Sequence, residues 1–308
     1  MPCTSRAASR GRENFLRRQK VIRDHQNKFM KNILVMYHGN CPDGMGGAYS
    51  AWKKFGNTAE YKPLFRGDPL PDDLEGREIY LIDFSFPKET MFAMERKAKR
   101  LVVLDHHIGV KDDVEATREH VFDVNRSGAG IAWEYFHSNT PLPKFLAYIQ
   151  EGDLWRFSLP NAREVGAYVG TITLDLETYD RLVAKFEDEK KFKTIVERGK
   201  AYSEYSEFLC DGLMDMAEEV EFEGYTVLAI NSGRALHSLL GNILAKKHPP
   251  FSIVWYRFRG MWHFSLRGDG SVDLSAICKR YGGGGHHSAA GFVLPFSSPM
   301  PFTFIKKN

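Results

Sequence analysis

The chain has 308 residues, 43% of them hydrophobic and 26% charged, the balance of a soluble globular protein with room for two ordinary domains. No apolar run is long enough to span a bilayer, so no membrane partner is expected. The formal net charge of +3 hides an asymmetry: residues 1–31 carry nine Lys or Arg against two acids, about +7, and the remainder is left at about −4. A mildly acidic body disfavours a broad grip on long duplex nucleic acid and suits a small, locally bound anion.

The four cysteines, Cys3, Cys41, Cys210 and Cys278, are scattered with no C-x-x-C pair. That pattern argues for reduced thiols in a cytoplasmic compartment, against a disulfide framework or a structural zinc, and it leaves the cysteines reading as incidental. In residues 1–31, Arg6, Arg10, Arg12, Arg17 and Arg18 stand among few apolar positions. A disordered basic arm, an organelle transit peptide and an upstream start codon are the three readings of this stretch. An appendage without a core role is favoured, since Glu13 and Asp24 dilute the transit pattern and no apolar h-region marks a secretory signal.

The first convincing strand, Ile33-Leu34-Val35-Met36-Tyr37, runs into the loop His38-Gly39-Asn40-Cys41-Pro42-Asp43-Gly44, after which Ala48, Trp52 and Phe55 recur at helical spacing. His38 and Asp43 thus lie where a strand's C-terminal end meets a helix N-terminus. A second strand over residues 78–82 stops at Asp83, and Pro87 opens a helix whose Met91 and Met94 face the core. A third, Leu101-Val102-Val103-Leu104, stops at Asp105-His106-His107. Strands that alternate with helices predict a parallel sheet, and parallel sheets bring their C-terminal ends to one edge, where α/β folds place their sites. There Asp105 is expected to orient the His106 ring, His106 to offer its other nitrogen to a metal, and His107 to face what the metal holds.

Buried helices are expected around Ile131–Phe136 and Phe145–Ile149, the second leading to Asp153, a further candidate ligand. From about Glu177 to Glu219 the chain reads as charged helix joining two domains. The texture then turns β-rich, with a hairpin expected near Arg259-Gly260 and a helix capped by Ser271, carrying Leu274, Ile277 and Cys278 inward and ending at Gly282. The run Gly282-Gly283-Gly284-Gly285-His286-His287 lets backbone N–H groups approach an anion, with His286 adding a hydrogen bond or a charge.

His38 and Asp43, Asp83, Asp105-His106-His107 and Asp153, in that order, resemble the DHH phosphoesterase superfamily. Gly282–Gly291 resembles the signature of the C-terminal domain that accompanies it in nanoRNases, pAp phosphatases and RecJ-like exonucleases. The resemblance covers roughly residues 32–297. It implies an α/β fold: a parallel-sheet DHH domain over 32–185 with helices on both faces, a helical linker over 186–219, and a smaller α/β substrate-binding domain over 220–308. It also implies a Mn²⁺- or Mg²⁺-dependent phosphohydrolase, Co²⁺ being a further candidate, with one or two ions. By matching motif, His38, Asp43 and Asp83 would hold one ion, and Asp83 would bridge to a second held by His106 and Asp153. His107 would contact the phosphoryl group or the leaving oxygen, with Asp105 behind it, while Arg267, Gly283, Gly284, Gly285 and His286 would grip substrate. The absence of ligand cysteines agrees with hard ions of this kind.

One departure stands out. The family's first motif has an acid four residues after the histidine and another two beyond it, whereas here Asp43 is five after His38 and Met45 falls in the second acid's place. A ligand of the second ion is therefore expected to be missing, which weakens that site. The expected substrate is a short oligonucleotide or a small nucleotide, cleaved as a diester or a monoester in a nanoRNase-like reaction. The alternative is a DHH-fold nucleotide sensor or assembly protein with little turnover. Oligomeric state is not legible.

Overall fold

The computed structural model describes residues 31–65 and 67–305, so the expectations for the basic N-terminal arm lie outside the described residues. Five strands, β1 (Ile33–His38), β2 (Ala59–Leu64), β3 (Glu78–Ile82), β4 (Arg100–Asp105) and β5 (His120–Phe122), form a sheet in the order β2-β1-β3-β4-β5. All four pairings are parallel. Along β1, Val35 and Tyr37 face one core while Leu34 and Met36 face another, and the same alternation runs through β3 and β4. Both faces are therefore apolar, as a parallel sheet covered by helices requires. The helices Pro42–Phe55, Gly128–His137, Lys144–Asp153 and Leu176–Glu187 contribute to the first core, and Met91 and Met94 of the helix Lys88–Lys97 to the second.

The chain leaves β1 toward β2 on one side and returns as β3 on the other, so the strand order reverses between β1 and β3. Crevices that bind ligands form at such reversals. His38 ends β1 there and Asp83 directly follows β3. β2 and β5 go beyond the strands expected from the sequence. β2 is an edge strand that carries Pro63, a residue tolerated only where a ladder hydrogen bond is not needed, and β5 is three residues long.

The 25-residue helix Glu189–Leu213 joins the two halves, giving Ile195 to the first core and Cys210 to the second half. There, β6 (Glu218–Phe222), β7 (Tyr225–Asn231), β8 (Phe251–Phe258), β9 (Met261–Gly268), β10 (Gly284–His286), β11 (Ala289–Pro295) and β12 (Thr303–Phe304) make a mixed sheet ordered β10-β11-β9-β8-β7-β6-β12. Only β7 and β8 pair in parallel, and the helix His237–Lys247 makes the crossover between them. The expected hairpin joins β8 to β9, with Arg259 (φ 49°) and Gly260 (φ 76°) both left-handed, as a two-residue primed turn demands. The helix Leu274–Arg280 is capped by Asp273, whose carboxylate accepts from Ala276 N–H at 3.0 Å, and not by Ser271, which donates to Asp269.

Candidate metal centre

The C-terminal edge of the first sheet gathers every metal-ligand candidate of the sequence. Asp83 is fully buried and left-handed at φ 57°, a conformation unusual for a residue with a Cβ and one that Asp and Asn tolerate best. Its Oδ2 lies 3.3 Å from His38 Nδ1 and its Oδ1 3.2 Å from His106 Nε2, so the one carboxylate stands between two imidazoles. His106 Nε2 lies 3.4 Å from Asp153 Oδ2 and 3.8 Å from Asp43 Oδ2.

The ligand atoms divide differently from the sequence expectation. Those of Asp43, Asp83 and His106 lie within 4.8 Å of one another, and those of His38, Cys41 and Asp83 form a separate group of the same size. Asp43 thus falls with His106 and Asp153, on the side expected to lack a ligand. Its carboxylate is held there by two backbone donors at the start of a helix, Gly128 N–H at 2.6 Å and Ala129 N–H at 3.0 Å. Met45, 5% exposed, belongs to the hydrophobic core. Cys41, which reads as incidental in the sequence, has its sulfur in the group with His38 and Asp83.

Asp105, expected to orient the His106 ring, holds the His107 ring instead, while His106 Nε2 faces Asp83. Asp105 Oδ1 accepts the His107 Nδ1–H at 2.8 Å and the backbone N–H groups of both histidines, while Ser85 donates its hydroxyl to Oδ2 at 2.6 Å. Asp105 therefore orients His107 and leaves Nε2 of that ring as the free nitrogen. The ring of His286, from the other sheet, stacks on His107 with centroids 5.0 Å apart and lies 5.2 Å from His106.

The electrostatics are those of a cation site. Burial, and then the neighbouring carboxylates, push the Asp43 and Asp153 carboxyls above the usual range. Burial acts on Asp83 in the same direction, but the His106 and His38 hydrogen bonds outweigh it and hold that carboxyl low. Burial and the charges of Asp83, Asp153 and Asp43 push the Cys41 thiol well up. His107 is pushed up to about 10, because Asp105 overcomes desolvation, and His286 is pushed down to about 4 by burial and the two histidines it faces. Asp153 Oδ2 and His106 Nδ1 are buried without a hydrogen-bond partner among the described residues. Crowded carboxylates, imidazole nitrogens and an orphaned buried oxygen fit divalent metal ions as this donor set stands.

No family model matches the chain. It is 27% identical over 291 residues to an uncharacterized protein of Acanthamoeba polyphaga mimivirus, covering 84% of this chain and 67% of that one. Among solved structures, the DHH domain of a protein described as a member of a ribosomal-protein family superposes with a TM-score of 0.60 at 14% identity, over 86% of this chain and 83% of that one. The chain has the DHH-domain fold. A pGpG-specific phosphodiesterase from Vibrio cholerae aligns over 86% of this chain and 94% of its own at 14% identity, with a TM-score of 0.46, a likeness too loose to carry an argument.

Three residues that touch or adjoin these side chains escape a reading of the sequence. Gly128 is packed against both acids, since a Cβ there would come 2.6 Å from Asp83 Cβ and 2.9 Å from Asp43 Oδ2. Ser85 supports Asp105, and Cys41 joins His38 and Asp83. A small residue just after Ser127, the cap of the helix Gly128–His137, is the available signal for Gly128.

The second sheet faces this edge across a cleft of about 440 Å³ that His38, Asp83, Asp105 and His107 line from one side and Lys279 and Gly282–Gly285 from the other. The second half of the glycine run enters the short strand Gly284–His286: Gly285 at φ 143° has no room for a Cβ, which would come 2.6 Å from Ala289 O, and Gly283, just before the strand, is packed as closely against Gly291. Arg267 lies outside the cleft lining, donating to Ser238 Oγ at 2.8 Å and to Leu266 O, with burial pushing its guanidinium down to about 10. None of the ion pairs found among the described residues gives it a carboxylate partner.

Proposed function

We propose that the chain is a metal-dependent phosphoesterase that hydrolyses phosphodiester or phosphomonoester bonds in short oligonucleotides or small nucleotides. The observation that carries this reading is Asp83 between two imidazoles, with Asp43 and Asp153 converging on the same His106. His38 and Asp83 would hold one Mn²⁺, Mg²⁺ or Co²⁺ ion, and Asp43, Asp83, His106 and Asp153 a second. When bound, such ions supply a water nucleophile at neutral pH and offset the charge that develops on the phosphoryl oxygens.

The chain's own residues do the rest. Asp105 and Ser85 fix the His107 ring, whose Nε2 meets the leaving oxygen and passes it a proton. Across the cleft, His286, Lys279 and the backbone of Gly283, Gly284 and Gly285 hold the remaining phosphate or sugar. Arg267, which donates to Ser238 Oγ and Leu266 O outside the cleft lining, takes no part in this grip. A cleft of this size between two sheets fits a dinucleotide better than a long strand, which needs a wide basic channel with stacking aromatics. The sensor reading draws its support from a missing acid, and the convergence of Asp43, Asp83 and Asp153 on His106 supports catalysis over it.

Asp83→Asn tests the assignment, because asparagine accepts the left-handed backbone while the shared charge is lost. Turnover of a 5′-phosphorylated RNA dinucleotide with Mn²⁺ is expected to fall by more than roughly 100-fold, beyond the loss typical of an outer-shell partner, with little change in the thermal midpoint. Full activity in this variant removes Asp83 from the site.

A further inference from the structure

Cys41 stands at the junction between β1 and the helix Pro42–Phe55, extended at φ −127° and ψ 129°, and its side chain makes no capping hydrogen bond. It is a free thiol, and its sulfur lies within 4.8 Å of the donor atoms of His38 and Asp83. We propose that Cys41 is a thiolate ligand, so that His38, Cys41 and Asp83 form a sulfur, nitrogen and oxygen site for a borderline divalent ion of the zinc class. Asp43, Asp83, His106 and Asp153 form a separate, harder site. The inference rests on the metal-dependent reading of the centre and adds the identity of one ligand and the ion it selects.

Two independent features carry it. Cys41 and Asp43 are two residues apart in one loop, yet their donor atoms fall on different sides of Asp83, the thiol with His38 and the carboxylate with His106. Asp43 is also committed elsewhere: both its oxygens accept from Gly128 and Ala129, and it faces His106, so it is not available to complete the His38 side. Without Cys41, that side has one imidazole and a shared carboxylate. With it, the donors are those that thiolate and imidazole chemistry reserves for zinc-like ions, while oxygen-rich ligands suit Mn²⁺ and Mg²⁺. As the sulfur–metal bond forms, the thiol proton leaves to solvent.

The test is a Co²⁺ titration of the full-length, chelator-treated protein, followed by absorption spectroscopy and calorimetry, in the native sequence, Cys41→Ser and Cys41→Asp. The expected result is a near-ultraviolet sulfur-to-cobalt charge-transfer band that saturates with one ion and is abolished by Zn²⁺ but not by equimolar Mn²⁺. Both variants lose the band, Cys41→Ser binds that ion at least roughly 10–100-fold more weakly, a loss already seen for outer-shell partners, and Cys41→Asp binds Mn²⁺ more tightly than the native protein. Circular dichroism checks that the variants are folded, and Cys41→Asp, which keeps a ligand, covers the case in which the serine variant is not. Co²⁺ bound without the band, or a band that survives in Cys41→Ser, overturns the ligand assignment even if nucleotides are hydrolysed. A Cys41-dependent band in a protein that hydrolyses no nucleotide leaves the ligand standing and removes the phosphoesterase reading. Absence of Co²⁺ binding removes both.

Discussion

A methyl group on Gly128 would press on Asp83 and Asp43 together, and the Asp43 carboxylate is held by the backbone N–H groups of Gly128 and Ala129. Gly128→Ala is therefore expected to cost about 1–3 kcal/mol of stability, the usual penalty of overpacking, and to weaken divalent-ion binding more than its stability loss explains. Calorimetry beside urea unfolding reads the two effects separately, and unchanged ion affinity would separate Gly128 from the centre. Asp105 is a positioning residue, since it acts through the His107 ring. Asp105→Asn should lower kcat by roughly 10²–10⁴-fold, the range of general acid–base catalysis, with KM nearly constant and the pH profile displaced. An equal rise in KM would point to a structural role instead. Which ligands belong together is not legible from spacing. Asp43 comes five residues after His38 where the motif it resembles has an acid at four, and its anchoring by Gly128 and Ala129, 85 and 86 residues away, sets it beside His106.

The elements are more legible than their ends. Apolar runs stopping at Asp83 and Asp105 place β3 and β4 and their polar edge, because strands buried on both faces are continuous hydrophobic segments. β2, buried only at its two ends and carrying a lysine and a proline, has none of that signature, and the sequence does not announce it. The cap of the helix Leu274–Arg280 shows the same limit. Ser271 and Asp273 are both capping residues by type, and geometry gives the role to Asp273. Asp273→Ala is expected to cost about 1 kcal/mol and Ser271→Ala less than half of that, measured as shifts of the urea midpoint. The reverse order would return the cap to Ser271.

Across the whole molecule, the two sheets meet where His286 stacks on His107, and on the proposed reading substrate lies in the cleft between that edge and the Gly284–His286 strand. His286→Ala should raise KM for a dinucleotide by about tenfold or more, the worth of a hydrogen bond to a charged group, while leaving Mn²⁺ affinity unchanged. An unaltered KM for every nucleotide tried would contradict the grip. No helix among the described residues is long and apolar enough to cross a membrane.

The central claim is that this edge hydrolyses short nucleotides with the aid of metal ions. Its most direct test is product analysis after incubating the purified protein with Mn²⁺ and, separately, a 5′-phosphorylated RNA dinucleotide, a cyclic dinucleotide, pAp and pyrophosphate, beside a variant in which Asp105 and His106 are both alanine. Mononucleotides released from the dinucleotide by the native protein and not by the variant are the predicted result. Nucleotide binding without turnover of any of the four substrates would contradict the account and return the molecule to the class of sensors.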